Sequence, residues 1–174
     1  MGILGIAGLI CSIVSLSLIV IAIAIPYWER IGTGQDGNMY VGLWMNCTRH
    51  GGGEAICIQL NAVQEYVLVT RAFSLLGLLL VAGTSVLGFI HLLVMKESQT
   101  ISHAAAAVAT GAGIFMLIGA IVYSGRRSGL SPGETVNYHA GFGFAIIAGG
   151  TALFAGMLYM AGRSNQINKI KSLN

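Results

Sequence analysis

Four long apolar runs constrain the fold of this chain more than any other feature of its sequence. They occupy residues 3–25, 67–95, 103–124 and 139–162. Each run is long enough to cross the hydrocarbon core of a bilayer, which takes about 20 residues of helix. Only 9% of the 174 residues are charged, whereas soluble domains have about a quarter. The sequence therefore predicts a single-domain, all-α membrane protein over residues 1–174.

The first run is predicted to remain in the mature protein as a transmembrane helix. It ends at Pro26-Tyr27-Trp28, where proline stops the helix and the two aromatic rings suit a membrane–water interface. A cleaved signal peptide is the alternative, because Ala22-Ile23-Ala24 resembles a cleavage site. Against it, no basic region precedes the run, and the run is longer than the roughly 7–15 apolar residues of a signal peptide.

Polar segments join and follow the four spans. They are the loops 26–66 and 125–138, the turn 96–102 and the tail 163–174. In the loops, β-prone residues at 38–41, 55–59 and 135–138 predict the strands of a small antiparallel sheet. Such a sheet is too small to be stable alone, so we expect the helix ends or a cross-link to support it.

Small residues recur at four-residue spacing in the third and fourth spans. The two stripes are Ala105, Ala109 and Gly113, and Gly141, Ala145 and Gly149. In lipid, helices associate where small side chains let their backbones approach closely. We therefore expect the stripes to pack the four helices into one bundle rather than to bind a partner protein.

Two cysteines in the longer loop are predicted to form a disulfide. Cys47 and Cys57 have the spacing of a short hairpin bridge. A metal site or two free thiols are the alternatives, but only His50 lies nearby as a further ligand. Cys11 falls within the first span and is interpreted as a small apolar filler.

Orientation in the membrane follows from this loop and not from the basic residues. Five lysines and arginines lie on the side of the two loops and four on the side of the turn and tail, which does not decide the orientation. Disulfides persist in oxidising compartments, and the sequon Asn46-Cys47-Thr48 accepts a glycan only there. Both features place the loops outside the cell and both termini in the cytoplasm, with Asn46 as the candidate glycosylation site.

Arg71 interrupts the second span near its start. We favour an interfacial anchor whose long side chain reaches outward to the membrane surface. The alternative is a buried pairing with a loop carbonyl, or with a carboxylate such as Glu65.

No constellation in the sequence supports catalysis. The histidines are dispersed at positions 50, 91, 103 and 139, and no nucleotide loop, nucleophile motif or zinc spacing occurs. His91 and His103 flank the same turn and are interpreted as interfacial side chains. No ionisable residue lies in the middle of a span, which argues against a transport pathway. The sequence predicts a protein that is not an enzyme, has no cofactor or metal, and contacts membrane lipid but no nucleic acid.

The longer loop and its flanking helix ends resemble the signature of the claudin and peripheral-myelin-protein superfamily. The residues that carry the resemblance are Trp28, Gly42-Leu43-Trp44, Cys47, Cys57 and Arg71. Residues 42–48 are most similar to the epithelial membrane proteins, as are residues 138–142. Residues 70–73, Thr-Arg-Ala-Phe, are similar to the lens fibre membrane intrinsic protein. The chain is identified as a member of this superfamily, nearest to these two branches.

This resemblance implies a left-handed bundle of four transmembrane helices capped by a small extracellular antiparallel sheet. It also implies that Trp28 and Gly42-Leu43-Trp44 pack near the membrane surface and that a Cys47–Cys57 bridge ties two strands. We expect Trp44 to be the apolar anchor that enters the mouth of the bundle. A bridge closing a loop of about ten residues adds about 2–3 kcal/mol.

The function that the resemblance implies is a contribution to cell–cell adhesion or junctions and to membrane organisation, at plasma-membrane contacts. Its expected partners are copies of itself or related proteins, in the same membrane or on an apposed cell. One alternative is a claudin-type tight-junction strand that forms a paracellular barrier or ion pore. The candidate ion-path or partner contacts are then Glu29, Asp36, Arg49 and Glu54. A second alternative is an auxiliary subunit of a channel or receptor.

Two departures from the claudins favour the epithelial or lens branch. Claudins commonly end in a hydrophobic motif that engages junctional scaffold proteins, whereas this sequence ends in Lys171-Ser172-Leu173-Asn174. It also lacks cysteines next to the inner ends of the spans.

Overall fold

Four α-helices make up most of the protein. The structure is a computed structural model that describes residues 3–32, 37–50, 53–60, 64–94, 98–127 and 137–171. The helices are α1 (Ile3–Ala24), α2 (Glu65–Leu93), α3 (Gln99–Arg127) and α4 (Ala140–Lys171). Each contains a segment that is long and apolar enough to cross a membrane. The predicted class, four membrane helices with a small antiparallel sheet, is confirmed.

The helices form a ring in which α1 and α3 each pack against both α2 and α4. Small residues allow close packing, most clearly where α3 crosses α4. A Cβ atom added at Gly113 would lie 2.7 Å from the carbonyl oxygen of Gly149, so only glycine permits this approach. Gly113 and Gly149, one from each stripe of small residues, therefore meet within the chain at this crossing, as the sequence predicts.

Hydroxyl groups add hydrogen bonds between helices where small residues bring the backbones together. Each hydroxyl donates to a backbone carbonyl oxygen of a neighbouring helix. The three bonds are Ser15 to Ala148 at 2.8 Å, Thr70 to Gly119 at 3.2 Å and Ser102 to Tyr159 at 3.2 Å. Such bonds stabilise helix association in lipid by about 1 kcal/mol each.

His91 differs from its sequence-based interpretation. It is only 4% exposed, because it follows Gly88 by one turn on the buried face of α2. His91 lies in the last turn of α2, at the helix end that the sequence predicts, but its side chain is buried, whereas His103 is exposed.

A five-stranded antiparallel sheet covers one end of the bundle. Its strand order is β4-β3-β2-β1-β5. The strands are β1 (Glu29–Gly32), β2 (Gly37–Val41), β3 (Met45–His50), β4 (Ile56–Gln59) and β5 (Asn137–Tyr138). β5 comes from the shorter loop and pairs with β1, so both loops contribute to one sheet.

The sheet is larger than the sequence indicates. The predicted strands at 38–41 and 55–59 correspond to β2 and β4, and 137–138 to β5, while 135–136 lie outside the described residues. β1 and β3 were not predicted. In addition, α4 continues beyond the apolar segment that ends at Gly162 and runs through most of the predicted tail.

Candidate functional site

Trp28 joins three parts of the protein at the junction of bundle and sheet. Its side chain is fully buried, and its indole N–H donates a 2.7 Å hydrogen bond to the carbonyl oxygen of Ala22 at the end of α1. Its ring lies 5.1 Å, centroid to centroid, from that of Tyr123 on α3. The Trp28 backbone bonds to Val41 on β2 and to His139 before α4, both at 2.9 Å. One residue thus fixes the sheet to the helix ends.

Leu43, and not Trp44, is the apolar anchor of the longer loop. The two residues form the tip of a turn that is closed by a 3.0 Å hydrogen bond from Gly42 N–H to Met45 O. Leu43 is fully buried in the main hydrophobic cluster, whereas Trp44 is 38% exposed. The expectation that Trp44 is the buried anchor is wrong.

Gly42 is required by the close approach of two chain segments. A Cβ atom at this position would lie 2.5 Å from the Cα atom of Pro26. That distance is far below any contact between carbon atoms, and the atom in the way belongs to the backbone. The Gly42 turn therefore rests directly on the end of α1.

Arg71 on α2 holds the Leu43 turn in place through hydrogen bonds. Its Nε–H donates a 2.8 Å hydrogen bond to the carbonyl oxygen of Leu43, and its Nη2–H donates to the same oxygen. Its guanidinium carbon lies 4.6 Å from the ring centroid of Trp44. The side chain is therefore partly buried against a loop carbonyl and an aromatic face. The sequence favoured an interfacial anchor, and the alternative that it left open, a pairing with a loop carbonyl, is observed.

The Cys47–Cys57 disulfide joins β3 to β4 and is confirmed. The two residues are directly opposite in the strand register and are bonded to each other. Cys47 is 1% exposed, while Cys11 is a free thiol on α1. Among the residues that the structure describes, no three His, Cys, Asp or Glu side chains are grouped closely enough to hold a metal ion.

Asn46, the candidate glycosylation site, lies within β3 beside this disulfide. Its cross-strand neighbours are Val41 and Ile58. Its Oδ1 atom is buried and has no hydrogen-bond partner among the described residues.

The four loop charges do not form one group. Glu29 is fully buried between sheet and bundle, where its Oε2 accepts a 3.3 Å hydrogen bond from the Tyr123 hydroxyl. It therefore cannot line a water-filled path, and its prediction as an ion-path contact is wrong. Arg49 and Glu54 are exposed, and Arg49 donates to the carbonyl oxygen of Gly53 at 3.2 Å. Asp36 lies outside the described residues.

The combination of four membrane helices, a disulfide-linked sheet and the Arg71–Leu43 contact can be compared with known families. A family model described as the PMP-22/EMP/MP20/Claudin family matches residues 1–160. The chain belongs to this family. The match includes the whole sheet, the membrane-crossing segments of α1, α2 and α3, and all but the last two residues of that of α4, and it confirms the superfamily to which the signature residues pointed. No individual curated protein matches the sequence significantly.

This PMP-22/EMP/MP20/Claudin family member has an exposed edge strand that the sequence did not single out. Ile56 and Ile58 on β4 are 67% and 65% exposed. β4 lies at one end of the strand order, and beyond β3 it has no strand partner in the described part of the chain. The only sequence signal was the β-prone pattern itself, which does not distinguish an edge strand from a central one.

The register shows which backbone groups of β4 face the open edge. Cys47 and Cys57 form a narrow pair, with Cα atoms 4.0 Å apart, as in pairs that exchange no ladder hydrogen bonds. A 3.1 Å hydrogen bond from Leu60 N–H to Trp44 O makes that pair a hydrogen-bonded one. Bonded and non-bonded pairs alternate along the two strands, so this bond agrees with a non-bonded pair at Cys47 and Cys57. Consequently the N–H and C=O groups of Cys57 and Gln59 point away from β3.

Proposed function

We propose that this protein is a non-enzymatic tetraspan protein of the plasma membrane that contributes to cell–cell adhesion and membrane organisation by associating with copies of itself. The observation that carries the proposal is the open, apolar edge of β4. An exposed strand edge is a template for pairing with another chain, and proteins that must remain monomeric usually protect such edges with proline, a bulge or an inward-pointing charge. β4 reads Ile-Cys-Ile-Gln and has none of these.

A second copy of the chain fits this edge because β4 is nearly symmetric about Cys57. In an antiparallel pair centred on Cys57, Ile56 of each copy lies opposite Ile58 of the other. The outward N–H and C=O groups of the two Cys57 residues then bond to each other. Four exposed isoleucine side chains would cover one another on one face of the joined sheets. Cross-strand pairs of β-branched residues stabilise a sheet by about 0.2–1 kcal/mol each.

The orientation that adhesion requires is supported by the disulfide. Cys47–Cys57 needs an oxidising compartment, which favours a sheet outside the cell. With four membrane-crossing helices, both termini then lie in the cytoplasm. A paracellular pore is less well supported than adhesion, because burial of Glu29 removes one of the charges that would line it.

The test uses cells that do not normally adhere, expressing wild-type protein, Ile58→Lys or Gln59→Lys. Both variants add one positive charge to β4, but on opposite faces of the strand, because successive side chains alternate. We expect wild-type and Gln59→Lys cells to aggregate and Ile58→Lys cells not to. Surface labelling must show equal amounts of the three proteins.

Other results would contradict the proposal in different ways. If wild-type cells do not aggregate and recruit no partner to their contacts, the adhesive function is wrong. If Ile58→Lys cells aggregate as well as wild-type cells, adhesion stands but β4 does not carry it. Co-purification of a larger membrane protein in a fixed ratio would favour the auxiliary-subunit alternative instead.

A further inference from the structure

The guanidinium group of Arg71 is only partly used by the contacts that hold the Leu43 turn. Its Nε–H and one Nη2–H point to the carbonyl oxygen of Leu43, and one face of the group lies against the Trp44 ring. A guanidinium group has five N–H donors in a planar fork. The edge formed by Nη1 and Nη2 therefore has donors left for another acceptor.

No carboxylate neutralises Arg71 within the described part of the chain. Its polar contacts there are the Leu43 carbonyl and the Trp44 ring, and Glu65, the acidic residue nearest to it in α2, makes no ion pair with it. A carbonyl oxygen and an aromatic ring are neutral groups. The positive charge thus lacks an anion among the residues that the structure describes, although it is partly withdrawn from water.

The position of Arg71 along α2 places it close to the lipid phosphates. Arg71 is six residues after Glu65, the first residue of α2, or about 9 Å along the axis at 1.5 Å per residue. A helix of 29 residues is about 43 Å long and exceeds the roughly 30 Å hydrocarbon core by about 7 Å at each end. The Arg71 backbone therefore lies near the boundary of the core, and its side chain extends toward the headgroups.

Trp44 supports the same depth. The residue is 38% exposed and its ring lies beside the guanidinium group, and tryptophan is enriched at the headgroup level of membranes. The pair thus forms a small interfacial site with an apolar ring and a charged fork.

We infer that Arg71, stacked on Trp44, binds the phosphate group of a phospholipid in the leaflet on the side of the sheet. The Nη1–Nη2 edge donates two parallel hydrogen bonds to two phosphate oxygens, the geometry in which arginine and phosphate match best. The lipid phosphate supplies the missing negative charge and links the Gly42–Met45 turn to the membrane surface. This inference does not depend on adhesion.

The test is made on the wild-type protein, so that no variant has to fold. Protein with ¹³C,¹⁵N-labelled arginine and ¹³C-labelled leucine is placed in phosphatidylcholine bilayers. Carbon–phosphorus dipolar dephasing of each guanidinium carbon is then measured by solid-state NMR. The Arg71 signal is assigned from its cross-peak to the Leu43 carbonyl carbon. Arg49, which is exposed on β3 four residues beyond Met45, is the internal control.

We expect strong dephasing at Arg71 and none at Arg49. In bilayers of a phosphate-free galactolipid with inorganic phosphate in the buffer, the Arg71 dephasing should be lost. Dephasing at Arg71 no greater than at Arg49 in phosphatidylcholine would overturn the site. Dephasing that persists with inorganic phosphate alone would overturn its assignment to a lipid.

Discussion

The hydroxyl of Tyr123 on α3 donates a 3.3 Å hydrogen bond to the carboxyl group of Glu29 on β1, and both side chains are fully buried. The bond connects the bundle to β1, the strand that lies between β2 and the edge strand β5. It also places a carboxyl group, which is almost never buried without partners, beneath the strands. The sheet is therefore held by polar contacts as well as by the rings of Trp28 and Tyr123.

Removing this hydroxyl should destabilise the protein. In Tyr123→Phe the ring packing is retained, but buried Glu29 loses a donor, at a cost of about 1–3 kcal/mol. We expect the free energy of unfolding in mixed detergent micelles to fall by that amount. Tyr138→Phe is the matched control, because the Tyr138 hydroxyl bonds to Ser124 O at an exposed site. It should change the stability by less than about 0.5 kcal/mol. If the two substitutions lower the free energy of unfolding equally, the buried hydrogen bond stabilises the protein no more than the exposed one.

The Arg71–Leu43 contact leads to a second prediction about stability. Arg71→Met keeps much of the apolar stem but removes the charge-assisted donors to Leu43 and the stacking on Trp44. Hydrogen bonds to charged groups contribute about 1.5–3 kcal/mol, and an exposed cation–π contact about 0.5–1 kcal/mol. We expect a loss of about 2–4 kcal/mol in the free energy of unfolding. Arg49→Met, which removes an exposed bond to Gly53, should have an effect near zero. If both substitutions have the same effect, Arg71 does not hold the turn.

The helices could be predicted from the sequence because lipid leaves a spanning chain few alternatives. Every backbone polar group in the hydrocarbon core needs an internal partner, so an apolar run such as residues 3–25 has to be a helix. The strand β3 could not be predicted in this way. Its residues Asn46, Thr48 and Arg49 are polar, and its extended conformation depends on pairing with β2 and β4 on its two sides.

The sequence identified residues that belong to the candidate site but assigned the wrong role to some of them. Size and hydrophobicity suggested that Trp44 would be the buried anchor, but the turn geometry buries Leu43 instead. Similarly, Glu29 looks like an ordinary loop charge, and only its register opposite Val41 and Tyr138 places it on the face toward the bundle. Such roles depend on three-dimensional pairing that a single sequence does not contain.

Close packing of α3 against α4 predicts that alanine substitutions at two glycines of α3 have different effects on stability. Gly113→Ala would place a Cβ atom 2.7 Å from the backbone oxygen of Gly149, and forcing the helices apart should cost about 1–3 kcal/mol. For Gly111→Ala the nearest atom is a Leu80 methyl carbon at 3.8 Å, an ordinary contact. Alanine is the better helix former by about 1 kcal/mol, so Gly111→Ala should be neutral or stabilising. Thermal unfolding in detergent compares the two, and a stabilising Gly113→Ala would contradict the close packing.

Loss of the disulfide should weaken the sheet more than the helices. Cys47→Ser opens a loop of sequence separation 10, which lowers stability by about 2–3 kcal/mol in the chain-entropy model. We expect less protein at the cell surface and faster proteolysis of the longer loop, while Cys11→Ser behaves like wild type. A Cys47→Ser protein that folds and reaches the surface as well as wild type would refute the structural role of the bridge.

The sequon gives a prediction that also tests the orientation of the sheet. Asn46-Cys47-Thr48 can accept a glycan only if the longer loop enters the lumen of the secretory pathway. We expect an N-glycosidase to increase the electrophoretic mobility of the wild-type protein and of Thr48→Ser, which keeps the sequon. Asn46→Gln should migrate like the enzyme-treated protein before any treatment.

If wild-type mobility does not change, Asn46 is not glycosylated. The outer side would then be tested independently. A cysteine introduced in place of Arg49 or Glu54 should react with a thiol reagent that cannot cross the membrane.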